Sequence, residues 1–151
     1  MALLAGKLYD PATAVNKVTT ALLAMTALDT TNLRLAFTAP ANGAVLVRLV
    51  GTLHGSTAWP QIFLGVMEGA TVKGRVVPLG VVAGTAVATS MVRMEALFVV
   101  SGLTPSANLT WDAAYGVETL VASTGLKYGG PNDATANNAY GGFVFEIWDT
   151  A

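Results

Sequence analysis

The chain contains no cysteine and only one histidine, His54. Lacking thiols, it has no disulfide framework, no cysteine-ligated zinc and no thiol nucleophile, and a single imidazole cannot build a histidine metal cluster within one copy. Charge is scarce too. Lys and Arg number 8 and Asp and Glu 9 among 151 residues, so 11% are charged, against about 25% in an ordinary soluble domain. The formal charge of -1 leaves no clustered cations for phosphate, so neither nucleic acid nor an anionic membrane is an expected partner. Long hydrophobic runs are also missing. The mean hydropathy is +0.56, yet Gly, Arg, Glu or Pro breaks every apolar run before the ~20 residues of a spanning helix. One such run, from Ala44 to Val47, stops at Arg48. Ahead of Leu3 and Leu4 there is no basic stretch and no long apolar core follows them, so no signal peptide is expected and the mature chain is expected to begin here.

What is abundant is apolar side chains, 53% of the sequence. This excludes disorder and permits a large core in a chain of one-domain length. Much of the surface must then be Ala, Thr, Ser, Gly and Asn. From Leu33 onward the dominant hydrophobic period is two, which sets alternate side chains on one face of a strand. Leu33, Leu35 and Phe37 alternate with Arg34, Ala36 and Thr38, and the run ends at Pro40 before the turn pair Asn42-Gly43. A strand over 44–53 turns Val45, Val47, Leu49 and Leu53 inward, with Arg48 and Thr52 facing away. Further strands are expected over 61–68, 72–82, 91–100, 109–117, 120–128 and 142–148, with 131–138 a polar loop. Pro78 marks a bulge, a break or an edge, because proline removes a ladder donor. In 91–100, Val92, Met94, Ala96, Phe98 and Val100 share the inner face and Arg93 and Glu95 the outer. Trp111 is in phase with the core, and Phe143, Phe145 and Ile147 point inward on the last strand.

Seven or more strands at short turn spacings, with no helical period between them, predict an all-β fold: an antiparallel β-sandwich of the jelly-roll kind. Residues 21–151 form that domain, with a first strand over 22–28. Residues 1–20 are read as an extended N-terminal arm. Val15, Val18, Leu22 and Met25 also fit a helical spacing, so an amphipathic helix is the alternative there. An arm carrying Leu3, Leu4, Leu8, Tyr9 and Pro11 has too few neighbours to fold alone and needs another surface.

Catalytic constellations fail on inventory. No nucleophile-elbow sequence accompanies His54, and it reads as a turn residue. Glu68, Glu95, Asp112, Glu118, Glu146 and Asp149 are spread over different strands, so paired hydrolase carboxylates would have to meet in space. Asn132-Asp133 and Asn137-Asn138 offer oxygen ligands without the EF-hand spacing and read as surface loop. Gly80 to Gly84 lacks the Lys-Ser/Thr ending of a phosphate loop. No enzymatic activity, metal or cofactor is expected. Trp59, Tyr140 and Trp148 are the aromatics best suited to an exposed, interfacial or sugar-stacking role. Scarce charge with high apolarity suits subunit contacts, which are depleted in charge at their centre.

The stretch from Thr26 to Leu35, leading into Phe37-Thr38-Ala39-Pro40-Ala41-Asn42-Gly43 and Val45-Leu46-Val47-Arg48, resembles a recurrent β-sandwich domain of tailed-phage structural proteins. So do Gly102-Leu103-Thr104-Pro105 before Leu109-Thr110-Trp111, the segment Ala114-Tyr115-Gly116-Val117, and the ending Phe145-Glu146-Ile147-Trp148. The likeness covers about the last four fifths of the chain and extends to trimeric jelly rolls of the tumour-necrosis-factor type. These are turn and core features, which report fold more specifically than function. The resemblance implies a capsid decoration (cementing) protein, or else a fibre or tail domain. Such proteins are typically homotrimers bound to the major capsid protein on the outer surface of the virion, with terminal arms that reach adjacent subunits. On that basis Leu3, Leu4, Leu8, Tyr9 and Pro11 are the expected capsid or neighbour contacts. A carbohydrate-binding module using Trp59, Tyr140 and Trp148 is the second expectation, and a carboxylate hydrolase the third.

Overall fold

The structure is a computed structural model and describes residues 1–10, 15–18, 24–54, 58–59, 62–78, 84–85, 91–117, 125–128 and 142–151. In chain order the described strands are β1 (Leu3–Tyr9), β2 (Val15–Val18), β3 (Thr26–Ala27), β4 (Arg34–Thr38), β5 (Val45–His54), β6 (Ala58–Trp59), β7 (Ile62–Glu68), β8 (Thr71–Val76), β9 (Gly84–Thr85), β10 (Met91–Val100), β11 (Asn108–Val117), β12 (Gly125–Tyr128) and β13 (Phe143–Asp149). The described residues contain no helix, and every strand pair is antiparallel. The fold is an all-β sandwich of two main sheets.

The larger sheet has six strands and is organised by β5. One edge of β5 pairs with β10 along its whole length, from Val45↔Val100 to His54↔Met91. Its other edge is shared by β13, from Val45↔Asp149 to Val50↔Val144, and then by β12 at Leu53 and His54. β1 adds to the far side of β13, and β2 to β12. The smaller sheet runs β3-β11-β7-β8, with β4 also on β11. β6 and β9 form a separate two-stranded ribbon.

Alternation explains why these segments are strands and where the core lies. Val45, Val47 and Leu49 meet Met94, Ala96 and Val100 from β10 and Phe143, Phe145 and Ile147 from β13, all buried on the inner face of the larger sheet. Opposite them the smaller sheet contributes Leu35, Phe37, Ile62, Leu64, Val66, Trp111, Ala113 and Tyr115. Phe37 meets Trp111 edge-on, with centroids 4.9 Å apart and planes at 81°, an arrangement aromatic quadrupoles favour. Gly51 occupies an inward position of β5 where a Cβ would run into the Phe143 ring, so the absent side chain is what lets that phenyl fill the core.

Turn chemistry sets the strand ends. Gly43 takes φ 63°, its amide donates to the Pro40 carbonyl at 3.0 Å, and its own carbonyl accepts from Leu103 N at 3.0 Å. This ties the β4–β5 turn to the β10–β11 connection. Asp29 builds the turn before β4: its carboxylate accepts from the amides of Thr31 and Asn32, each at 2.8 Å, and from Asn32 Nδ2 at 2.9 Å.

Several segments differ from the sequence reading. Residues 3–9 are extended, as expected of an arm, but they are a strand of the chain's own sheet: Ala5 pairs with Ile147 and Tyr9 with Phe143. Leu4, Ala5 and Tyr9 pack on the core, Lys7 Nζ donates to the Thr31 carbonyl at 2.9 Å, and burial together with the Asp29 carboxylate raises the Tyr9 pKa. The open edge of β13 is the surface this segment needed. Residues 15–18 are strand rather than the alternative helix, and the strand expected over 22–28 is seen as Thr26–Ala27, residues 19–23 lying outside the described residues. The strand expected over 72–82 is β8, which ends at Val76 ahead of Pro78, a residue with no amide to extend the ladder. Thr52, expected to face away into water, is buried, because Arg93 Nη1 reaches across it to Thr52 Oγ1 at 3.4 Å and the Gly142 carbonyl at 3.3 Å.

Candidate interaction face

The inner side chains of β10, β5, β13 and β1 are committed to the core, so the alternate positions of these four strands form one outward face. The register stacks them in rows across the sheet. One row is wholly apolar: Leu3 pairs with Trp148, Trp148 with Leu46, and Leu46 with Val99. The next is Gly6, Glu146, Arg48 and Leu97, and the third is Leu8, Val144, Val50 and Glu95. Leu8 is 65% exposed, Val99 59%, Leu97 52% and Leu3 50%. An irregularity in register between Leu3 and Ala5 places the Leu3 side chain beside Gly6 and Glu146, and so on this face.

Three charges at the centre of the face are paired with one another, while Arg93, further along β10, reaches Thr52 and the Gly142 carbonyl. Arg48 Nε donates to Glu95 Oε1 at 2.6 Å and Nη1 to Glu146 Oε2 at 3.3 Å, so one guanidinium ties together the three adjacent strands β10, β5 and β13. Hydrogen bonds to the two carboxylates, Glu95 first, raise the Arg48 pKa and keep it charged at any accessible pH. Trp148 Nε1 also donates to Glu146 Oε2, at 3.1 Å. Around this cluster Leu3, Leu8, Leu97 and Val99 stand exposed.

Of the expected contact residues, Leu3, Leu8 and Trp148 come together here, whereas Leu4 and Tyr9 pack against the core. Trp59 lies in β6 of the separate ribbon. Pro11 and Tyr140 lie outside the described residues. The sequence reading missed Leu46, Leu97 and Val99. Their signal was present: in 91–100 the outer positions that begin with Arg93 and Glu95 continue as Leu97 and Val99, apolar where a solvated face calls for polar residues.

Of the other candidate carboxylates, Asp112 and Glu68 are engaged structurally. Asp112, buried, accepts from Arg34 Nε at 2.7 Å and Nη2 at 2.8 Å, and Glu68 accepts from Lys73 Nζ at 3.0 Å. Glu95 and Glu146 converge on one guanidinium, on an open sheet face. Among the described residues no group of three His, Asp or Glu side chains is arranged to hold a metal. Glu118, Asp133 and the Asn137-Asn138 pair lie outside the described residues.

No protein-family model matches this chain, and no curated protein matches it. The outer face of the larger sheet is therefore the feature that a functional reading has to explain. Chemically, a flat sheet surface with neutralised charges and protruding Leu and Val side chains suits association with another protein surface.

Proposed function

We propose that this chain is a structural virion protein: a capsid decoration, or cementing, protein with a jelly-roll sandwich, which binds the outer capsid surface as a homotrimer and stabilises the shell. Synthesis in the host cytoplasm precedes assembly onto the major capsid protein. The observation that carries this reading is the exposed apolar face of the larger sheet, at whose centre Arg48 is neutralised by Glu95 and Glu146. The overall scarcity of charge and the phage-like turn and core motifs point the same way. Three modest footprints on a rigid lattice act together, so weak individual contacts give slow release through multivalency.

The test is co-sedimentation of the purified protein with empty shells of the major capsid protein from the same virion, followed by thermal disruption of decorated and bare shells. Saturable binding in multiples of three, with decorated shells surviving to higher temperature, is expected. Protein that stays in the supernatant at every concentration overturns the proposal.

The second reading is a carbohydrate-binding module, or a fibre or tail domain for host attachment. Trp148, half-buried on an otherwise exposed face, is the residue that favours it, since an indole ring can stack on a sugar. A glycan array with hits, together with a change in tryptophan emission on adding host polysaccharide, would move the assignment to this reading.

A further inference from the structure

We infer that Asn42-Gly43 is a deamidation site that the fold holds closed, with Thr150 as its latch. The inference is independent of the proposed function. It starts from the sequence, where this is the one Asn-Gly pair of the chain. An asparagine is attacked most readily by the amide nitrogen of a following glycine, because no Cβ shields that nitrogen. The fold cannot dispense with this glycine. Gly43 takes φ 63°, and a Cβ there would stand 2.5 Å from the Leu103 carbonyl oxygen. Asn42 is also placed by the turn, since its Oδ1 accepts from the Ala44 amide at 3.1 Å. The connection between β4 and β5 therefore carries a chemically labile pair, exposed at Asn42, as a condition of its geometry.

In the reaction the Gly43 nitrogen bonds to Cγ of Asn42, the bond from Cγ to Nδ2 breaks, and Nδ2 leaves as ammonia with the proton that Gly43 gave up. Water then opens the cyclic imide to aspartate or isoaspartate. Three hydrogen bonds oppose these steps. The Gly43 amide donates to the Pro40 carbonyl at 3.0 Å, which keeps its proton engaged. Nδ2 donates to Thr150 Oγ1 at 2.9 Å, and the Thr150 hydroxyl donates in turn to the Ala44 carbonyl at 3.2 Å. That hydroxyl thus meets Nδ2 with a lone pair and cannot supply the proton that departing ammonia needs. The Oδ1 bond alone would polarise Cγ toward attack; the Thr150 bond restrains the leaving nitrogen. With the carboxamide fixed at both ends, ring closure requires the turn to open locally. Failure of the latch has a structural consequence. An isoaspartate adds a carbon to the backbone between Asn42 and Gly43, and so pulls apart the Gly43 contacts with Pro40 and Leu103 that tie this turn to the β10–β11 connection.

The experiment is peptide mapping by mass spectrometry of the full chain incubated at mildly alkaline pH, folded and in denaturing urea, for the wild type, Thr150→Val and Thr150→Ser. Loss of Asn42 and gain of aspartate plus isoaspartate at that position give the rate, and urea titration gives the unfolded fraction of each protein. The folded wild type is expected to react at least ~10-fold more slowly than the unfolded chain. Thr150→Val should speed the folded reaction about fivefold, the change that one net hydrogen bond makes to a local opening, and leave the rate in urea unchanged. Thr150→Ser keeps the hydroxyl and should return the folded rate to within about twofold of the wild type. If Thr150→Val lowers the urea midpoint, it is compared with the wild type at a urea concentration giving the same unfolded fraction, and equal rates there overturn the latch. A folded wild type that deamidates as fast as the unfolded chain overturns the protected site altogether. A folded Thr150→Val that keeps the wild-type rate, or a Thr150→Ser as fast as Thr150→Val, overturns the role of Thr150.

Discussion

Two buried polar groups of the smaller sheet hold different positions in its energetics. Tyr115 is fully buried on the inner face of β11, and its hydroxyl finds no partner among the described residues. Burial pushes its pKa from 10.0 up to about 12, since the low-dielectric core disfavours the phenolate. A folded-state pKa above the unfolded one means that the folded chain retains the proton longer. The associated stability is complete below pH 10 and is lost as the pH rises through about 12. Tyr115→Phe removes both the unsatisfied hydroxyl and the titration. It should raise stability near neutral pH by about 1 kcal/mol and reduce the alkaline loss to the part that Tyr9 contributes, measured by urea unfolding from pH 7 to 11.5. Asp112 is the opposite case, a buried carboxylate satisfied by both nitrogens of the Arg34 fork. Arg34→Ala strands that charge, and a loss of stability is expected, smaller than for a fully buried pair because Arg34 is half-exposed. The urea midpoint again reads it, and Arg34→Met/Asp112→Leu should recover most of the loss by removing both partners.

At the scale of elements, β1 carries two sets of side chains with different tasks. Leu4 and Tyr9 close the core beside β13, whereas Leu3 and Leu8 stand on the outer face. Deleting residues 2–9 should therefore cost stability, on the order of 3 kcal/mol for the apolar area uncovered, where a free arm would cost none. Leu4→Ala and Leu3→Lys separate the two tasks. The first should lower the unfolding free energy from urea titration by about 1–2 kcal/mol with shell binding intact, and the second should weaken shell binding while leaving the chain's stability nearly unchanged. This element also shows what was legible in the sequence. The strands whose apolar residues alternate cleanly, β4, β5, β10, β11 and β13, were readable with their inner faces, as was the Asn42-Gly43 turn. Period two tells which side chains share a face but not what covers the other one. Hence Thr52, which lies under Arg93, was expected to face away from the core. β1 was illegible as a sheet strand because its partner lies more than 130 residues away, and nothing local reports that β13 has an open edge. The candidate face was half legible: Leu3, Leu8 and Trp148 were singled out separately, but only the register of β1, β13, β5 and β10 sets them in common rows with Leu46 and Val99.

For the whole molecule, the proposed homotrimer would couple folding to association, which gives a prediction independent of any shell. When the native state is an assembly of three and the unfolded state is single chains, stability depends on concentration. Each tenfold increase in protein adds about two thirds of RT ln 10 per subunit, roughly 1 kcal/mol. For a chain of 151 residues, that is a rise in Tm of about 2–4 °C per decade. The wild type should show this slope in scanning calorimetry between about 1 and 100 µM, whereas Leu97→Lys/Val99→Lys should show a flat Tm wherever it is monomeric. The two curves should converge at low concentration, because the substituted side chains are exposed in the isolated subunit and contribute little to its core. A flat wild-type Tm over the whole range would mean that the sandwich is stable alone and that its apolar face is reserved for a surface other than its own kind. The slope, unlike a single Tm, distinguishes a subunit built to be finished by its neighbours from a domain already complete.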